Sequence, residues 1–406
     1  LRCNIKTIKH IFIMSYILFD DVSRKSLKPL TYIRPICDIR IGILTIREKW
    51  EKYLGEKTST LTEEYLSSKF PIEFADSMTL INGSVCPTPK LVEAIKNLSL
   101  NQVLVCNENI IAMNKTREDF LSEGEDIQKI EIDQDFIKLN NLWDIFVLNG
   151  KAIKEDFELI TKGRNSQKIS STNNIIGQEN IFIEEGAYVE CASLNAKNGP
   201  IYIGKDAEIM EGVVVRGPFA MCEHSVLKLN AKIYGPTTLG PYSKVGGELD
   251  NVVIFGYSNK AHDGFIGNSV IGEWCNIGAD TNASNLKNTY DEVRIWDIEK
   301  HTFVNSGQTF FGTIFGDHSK CGINVMFNTG TVIGISSNIY GAGYQRNFIP
   351  SFAWGGTNVG LKLYELDKAI EVNERMMQRR GLVMSEDDKN ILRHIFNQTL
   401  KNKKLR

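Results

Sequence analysis

The chain has 406 residues, 42% hydrophobic and 24% charged. It can bury real cores and implies two or three domains, since single cores seldom grow past roughly 250–300 residues. Forty-seven basic against forty-nine acidic residues give a net charge of −2, which argues against a generic polyanion binder, so no nucleic-acid partner is expected. No apolar run approaches the roughly 20 residues of a membrane span, and 33 glycines against 10 prolines fit many tight turns better than disorder.

Residues 1–13 are basic, and Met14 precedes an apolar run, Tyr16-Ile17-Leu18-Phe19. The first thirteen residues read as an upstream extension, not a targeting segment. Residues 14–165 read as a mixed α/β domain. Strands are expected at 17–19, 79–81 and 102–105. One helix is expected over 41–54, with Ile43, Ile46, Trp50 and Leu54 at helical spacing, and another over 89–98, with Pro89 suited to a first turn. The eight cysteines contain no CxxC pair and read as small buried hydrophobes in a reducing cytoplasm.

After the first strand, Lys28-Pro29-Leu30-Thr31-Tyr32-Ile33-Arg34-Pro35 resembles the opening of the sugar-nucleotidyltransferases. Leu80-Ile81-Asn82-Gly83-Ser84-Val85 resembles the strand that ends in their metal-binding aspartate. The resemblance implies a nucleoside triphosphate and Mg2+ if the domain is active. Arg24, Lys25, Lys28 and Arg34 are the candidates to neutralise the phosphates; metal ligands stay unassigned. The chain departs from that pattern in three places. The stretch Asp20 to Ser26 has no glycine to let backbone amides cradle phosphates, Ser84 stands where the aspartate belongs, and Ile36 replaces a lysine. Asp38 to Trp50 resembles a divergent, Bacteroidetes-type branch of the bifunctional UDP-N-acetylglucosamine pyrophosphorylase/glucosamine-1-phosphate N-acetyltransferase family; the competing reading of this charged run is a solvated helix face.

From residue 203 an apolar side chain recurs every sixth position: Ile203, Ile209, Val215, Met221, Leu227, Ile233, Leu239, Val245. After a slip it resumes as Phe265, Ile271 and Ile277, and later as Phe315, Cys321, Phe327, Ile333 and Ile339. Small residues follow four positions later, among them Ala207, Ser225, Ala231, Thr237, Ser243, Thr281 and Ser319. A period of six is neither helical nor a plain strand alternation. It fits a three-sided solenoid with one hexad per side, about 18 residues per coil and roughly 4.8 Å between coils. Over about residues 175–345 it resembles the left-handed parallel β-helix of hexapeptide-repeat acyltransferases. That resemblance implies a homotrimer with active sites between neighbouring prisms.

The beat breaks at Gly246 to Asp250, leading into Lys260-Ala261-His262-Asp263-Gly264-Phe265, and again from Ile277 to about residue 310. These stretches resemble the acetyltransferase half of the bifunctional family, which has a histidine three residues before an aromatic and two asparagines nine apart, matched by His262, Phe265, Asn276 and Asn285. The resemblance implies His262 as general base, with Asn276 and Asn285 binding sugar phosphate or acyl group, and acetyl-CoA as cosubstrate. The chemistry is sound in itself. Attack of an amine on a thioester needs a proton removed near neutrality, and histidine's ordinary pKa of about 6.5 suits it. Lys260 or Arg216 are candidates to meet a sugar phosphate. The plainer readings are a corner hydrogen-bonder for His262 and a corner asparagine ladder for Asn276 and Asn285; His224 and His318, inside regular hexads, read as structural. Phe265 and Leu286 replace tyrosines of the family, and Asp250 replaces a lysine.

Residues 361–406 read as helical, with Leu363, Leu366 and Ile370 on one face. Ser385 is a helix cap with an acid at its third position, and the basic end from Lys401 a frayed tail. Three functions remain open: an acetyltransferase and uridylyltransferase in one chain, an acyltransferase carrying a degenerate nucleotidyltransferase-like domain, or a non-catalytic β-helical scaffold.

Overall fold

The computed structural model of the chain describes residues 14–121 and 127–401. The expected upstream extension and the tail beyond Lys401 lie outside the described residues. The N-terminal unit is built on a six-stranded sheet in the order Thr58–Leu61, Met14–Phe19, Ser77–Asn82, Asn109–Thr116, Gln102–Cys106, Gln128–Glu131. Met14–Phe19 runs parallel to both neighbours. The loops after it and after Ser77–Asn82 therefore leave from one edge, the place where open α/β sheets put their ligands.

The helix expected over 41–54 starts at Ile46. Thr45 and Glu48 exchange side-chain-to-backbone hydrogen bonds in a capping box. Ahead of it Gly42, at φ +76°, turns the chain so tightly that a Cβ there would lie 2.5 Å from the Asp156 carboxylate. The second helix, Pro89–Lys96, is capped by the Thr88 hydroxyl.

Three stacks of short parallel strands make a prism from Asn174 to Gly356. The first face runs from Asn174–Ile176 through Val214–Arg216 and the leading half of Phe265–Glu273 to Met326–Phe327. The second carries Ile201–Ile203, Phe219–Met221, Thr313–Phe315 and Thr331–Ile333. The third carries Glu208–Ile209, Lys244–Val245, Asn259–Lys260, Asn276–Ile277 and Lys320–Cys321. The six-residue anchors fill the prism in one buried cluster, and the small residues four positions later are buried at its corners.

Phe265 is the exception. It faces outward, half-buried, while Ile266 points in and stacks on Leu249. The Gly246-Gly247 corner is two residues shorter than a regular one, so the phase shifts and the inward positions pass to Leu249, Ile254, Lys260 and Ile266. A lysine therefore occupies a position that is apolar in the neighbouring coils, at Leu227, Val245, Ile277 and Cys321.

The second face is apolar on its outer side too. Val253, Val270, Ile314 and Val332 are buried in the same cluster as the core of the N-terminal unit. Asp144–Val147 and Asn149–Thr161 rest on this face. Phe146 packs edge-on against Phe311 at 5.1 Å, and the Thr238 hydroxyl donates to the Gly42 carbonyl at 2.9 Å.

The C-terminal region begins as a strand, not a helix. Gly360–Leu363 pairs antiparallel with Ala353–Gly356, leaving Leu363 exposed, and the helix starts only at Leu366 and ends at Gln378. In the following helix, Glu386–Lys401, Ser385 and Asp388 cap each other as the sequence implies. This helix returns to the N-terminal unit, stacking His394 on Tyr65 at 4.3 Å and pairing Asp388 with Lys69 at 2.6 Å. The seven described cysteines are free, and six are buried; Cys191, on a solenoid corner, is exposed. Among the described residues no helix is long and apolar enough to cross a membrane.

Candidate functional site

The His262 loop is a corner between the third and first faces. It is held from inside and out. Gly246 N–H donates to the Lys260 carbonyl at 2.7 Å, Asp280 N–H to the Asp263 carbonyl at 2.9 Å, and Glu248 N–H to the Gly264 carbonyl at 3.1 Å. From inside the prism Lys260, 1% exposed, extends its ammonium to the His262 and Asp263 carbonyls at 2.5 and 3.1 Å. Burial pushes the Lys260 pKa down to about 8, against the pull of Asp263. Glycines make the close stacking possible: a Cβ on Gly247, at φ +73°, would lie 2.7 Å from the Gly264 carbonyl oxygen and 3.0 Å from that of His262.

With its backbone fixed, His262 is exposed and lines an open groove of about 700 Å³ together with Lys228, Gly246, Gly247, Asp263 and Asp280. Its imidazole has no protein hydrogen-bond partner among the described residues, so both ring nitrogens are available to a ligand.

The other expected residues disperse around this corner. Asn276 points outward on the third face and lines a neighbouring groove of about 560 Å³, which shares Ala261 with the His262 groove. Asn285 lies beyond the first face. Its amide donates to Asn268 Oδ1 at 2.8 Å and, with the Phe265 ring, flanks Gly267, where a Cβ would touch both. Phe265 and Asn285 are thus brought together, while His262 and Asn276 occupy adjoining grooves. Arg216 is exposed and three strand spacings from Phe265, roughly 14 Å along the prism. Lys260, expected at a sugar phosphate, is turned inward and acts on the loop instead. His224 stacks on Tyr242 at 4.7 Å, and the buried His318 lies parallel to Trp274.

Sequence reasoning missed the cations of the Asn276 groove: Lys244, Lys320, Arg375, Arg379 and Arg380. A signal existed. The residue just before each third-face anchor points outward, and there Lys244 and Lys320 precede Val245 and Cys321.

At the edge of the N-terminal sheet the four expected phosphate ligands are committed elsewhere. Arg24 is buried, paired with Asp20 at 2.8 Å, and donates to the Thr31 and Arg34 carbonyls. Arg34 is buried against the prism, gripping Asp317 through two hydrogen bonds of 3.0 and 2.6 Å. Lys25 and Lys28 both pair with Glu299, in the loop inserted between solenoid coils, at 3.6 and 2.8 Å.

Asp21, at the end of the first strand, accepts from Ser23, Asn82 and the fully buried Ser84, and meets the Lys138 ammonium at 3.0 Å. Burial would raise the Asp21 carboxyl, but the Ser23 and Asn82 hydrogen bonds and Lys138 outweigh it and hold it below the ordinary value. Asp21 and the neighbouring Asp20 are each already matched by a cation, Lys138 and Arg24, and a serine stands at the expected aspartate. The residues present therefore offer Mg2+, which takes one or two carboxylates together with substrate phosphates, no unpaired carboxylate.

Residues 16–165 match the model of the sugar nucleotidyl transferase family. The chain is 31% identical over 144 residues to a bifunctional sugar-1-phosphate nucleotidylyltransferase/acetyltransferase of Sulfurisphaera tokodaii, covering 35% of each chain. It is 27% identical over 222 residues to a bifunctional protein GlmU of Methanococcus vannielii, covering 55% of this chain and 47% of the relative. The matched segments span about a third to a half of the length of these relatives. The solved structure of an Arabidopsis UDP-N-acetylglucosamine acyltransferase overlaps 54% of this chain and 79% of its own at 17% identity and a TM-score of 0.22, too slight an overlap to carry an argument. Residues 16–165 thus form a domain similar to the sugar nucleotidyl transferases, and this chain carries a parallel β-helix after it; relatives named as bifunctional nucleotidylyltransferase/acetyltransferases match part of the same chain.

Proposed function

We propose that the chain is an acyltransferase that N-acetylates glucosamine 1-phosphate from acetyl-CoA, with His262 as the general base. The observation that carries this reading is His262 itself: a partnerless imidazole in an open groove, on a backbone fixed by Lys260, Gly246 and Asp280. In the reaction the sugar amine attacks the thioester carbonyl, the nitrogen's proton passes to the imidazole, the carbon–sulfur bond breaks, and the imidazolium returns the proton to the departing sulfur to release the thiol of CoA. Asn285 beside Phe265, and Asn276 in the adjoining groove, are neutral amides suited to hydroxyl, carbonyl or phosphate groups of the two substrates.

We assign the N-terminal unit a bracing role in this chain. Its Arg34 holds Asp317 of the prism, Lys25 and Lys28 hold the inserted loop at Glu299, and Lys138 pairs with the Asp21 carboxylate. A second reading adds uridylyl transfer to give UDP-N-acetylglucosamine; the family match of residues 16–165 favours it. The two separate in one assay with glucosamine 1-phosphate, acetyl-CoA, UTP and Mg2+. CoA release without pyrophosphate release is expected. Pyrophosphate formed at a rate comparable to CoA would establish the second reading instead, and neither product would sink both.

The reading includes a homotrimer. The first face is left uncovered by both the N-terminal unit and the C-terminal helices and exposes Ile176, Val214, Tyr234 and Met326, and the His262 corner borders it. Light scattering is expected to give the mass of three chains, and a monomer at assay concentration would contradict this.

A further inference from the structure

The groove between the third face and the Leu366–Gln378 helix is strongly cationic. Lys244, Lys320, Arg375, Arg379 and Arg380 line it, with no Asp or Glu among the lining residues. In a chain of net charge −2 that is a local concentration of positive charge.

The Lys320 ammonium is held only by the His318 carbonyl at 2.8 Å and Asn373 Oδ1 at 3.2 Å. Arg380 donates to Asn259 Oδ1 at 3.2 Å. Arg375 pairs with the Glu371 carboxylate one turn back on the exposed side of its helix, and Glu208 lies near enough to Lys244 to oppose the fall in its pKa. Burial lowers the pKa of both lysines, Lys320 to about 8, and for Lys244 the neighbouring Arg380 and Lys228 add to the effect. Cations placed to repel one another across about 560 Å³ are stabilised by an anion between them.

We propose that this groove binds the diphosphate of a nucleotide ligand, with the arginine pair at the end of the helix engaging the phosphate oxygens. The volume admits a diphosphate with part of its nucleoside. Ala261 is the wall shared with the His262 groove, so the far end of such a ligand emerges beside the histidine. Two sources carry this chemistry: the nucleotide handle of an acyl-CoA and a sugar nucleotide. The site does not depend on the acyl-transfer reading; only the choice between sources does.

The test is calorimetric titration of the full chain, without turnover, with CoA and separately with UDP-N-acetylglucosamine. Arg379→Ala/Arg380→Ala removes exposed and half-exposed side chains and keeps the fold, as a thermal melt will show. It is expected to weaken binding about 10- to 100-fold and to lower the salt dependence of what remains. Binding of CoA alone identifies the acyl donor's handle, and binding of UDP-N-acetylglucosamine alone identifies a sugar-nucleotide site. Either affinity must fall in the double variant and in the charge reversal Arg379→Glu. Binding of neither nucleotide, or equal affinities in wild type and variants, overturns the proposal. Because binding is read directly, an enzyme inactive for another reason leaves the result interpretable.

Discussion

Arg34→Met is expected to destabilise the protein by roughly 3–5 kcal/mol, the cost of breaking a buried ion pair from one side. Arg34 is 4% exposed and Asp317 fully buried. Their two hydrogen bonds join the N-terminal unit to the prism, Glu273 adds its carboxylate at 3.1 Å, and Phe255 packs under the guanidinium at 5.2 Å. Burial by itself would lower the Arg34 pKa, yet Asp317 and Glu273 override it and raise it, so the arginine is charged at every accessible pH. Removing it strands Asp317 with the Glu273 N–H as its remaining donor and with the Glu273 carboxylate nearby. Urea unfolding measures the loss. The double variant Arg34→Met/Asp317→Asn is expected to recover most of it, because the pair is then absent, not half-broken. A single-variant loss below about 1 kcal/mol would show that the two units are not locked through this pair.

Lys260→Met is expected to separate stability from activity. The lysine stands in a column of Leu227, Val245, Ile277 and Cys321, and methionine matches its length without charge, so the fold is expected to be unchanged or stabler by about 1–4 kcal/mol. The His262 loop loses two of its hydrogen bonds, and acyl transfer is expected to fall roughly 10- to 100-fold, the scale set by small misplacements of a catalytic group. The pH dependence supplies a second readout. The folded-state pKa of about 8 lies below the unfolded value, so between about 8 and 10.4 the unfolded chain binds more protons. Wild-type stability therefore gains with rising pH across that window, from a penalty fully present below it, and the methionine variant lacks this gain. An unchanged rate would return Lys260 to a packing role alone.

The solenoid was legible because its repeat is local. Each anchor from Ile203 to Val245 sits six residues from the next, and each small corner residue falls in a fixed place. The capping of the last helix by Ser385 was equally local. What escaped was set by contacts distant in sequence. The start of the Ile46–Leu54 helix depends on a turn at Gly42 pressed against Asp156. The phase slip could be seen in Gly246-Gly247, but not that it would turn Phe265 outward and Lys260 inward. Arg34, legible as a phosphate ligand, finds its partner 283 residues away in Asp317. The outer apolar row of the second face, Val253 to Val332, was present in the sequence as runs with no polar alternation, and it marked the face on which the N-terminal unit lies.

His262 is proposed as the base of an acyl transfer housed in the β-helix. Its most direct measurement is the release of CoA thiol from acetyl-CoA in the presence of glucosamine 1-phosphate, comparing the wild-type chain with His262→Ala. Turnover by the wild type is expected, with a loss of about 100-fold or more in kcat for the variant and an unchanged thermal melt, because the imidazole is exposed and has no protein hydrogen-bond partner among the described residues. A variant that releases CoA at the wild-type rate would contradict that role for His262.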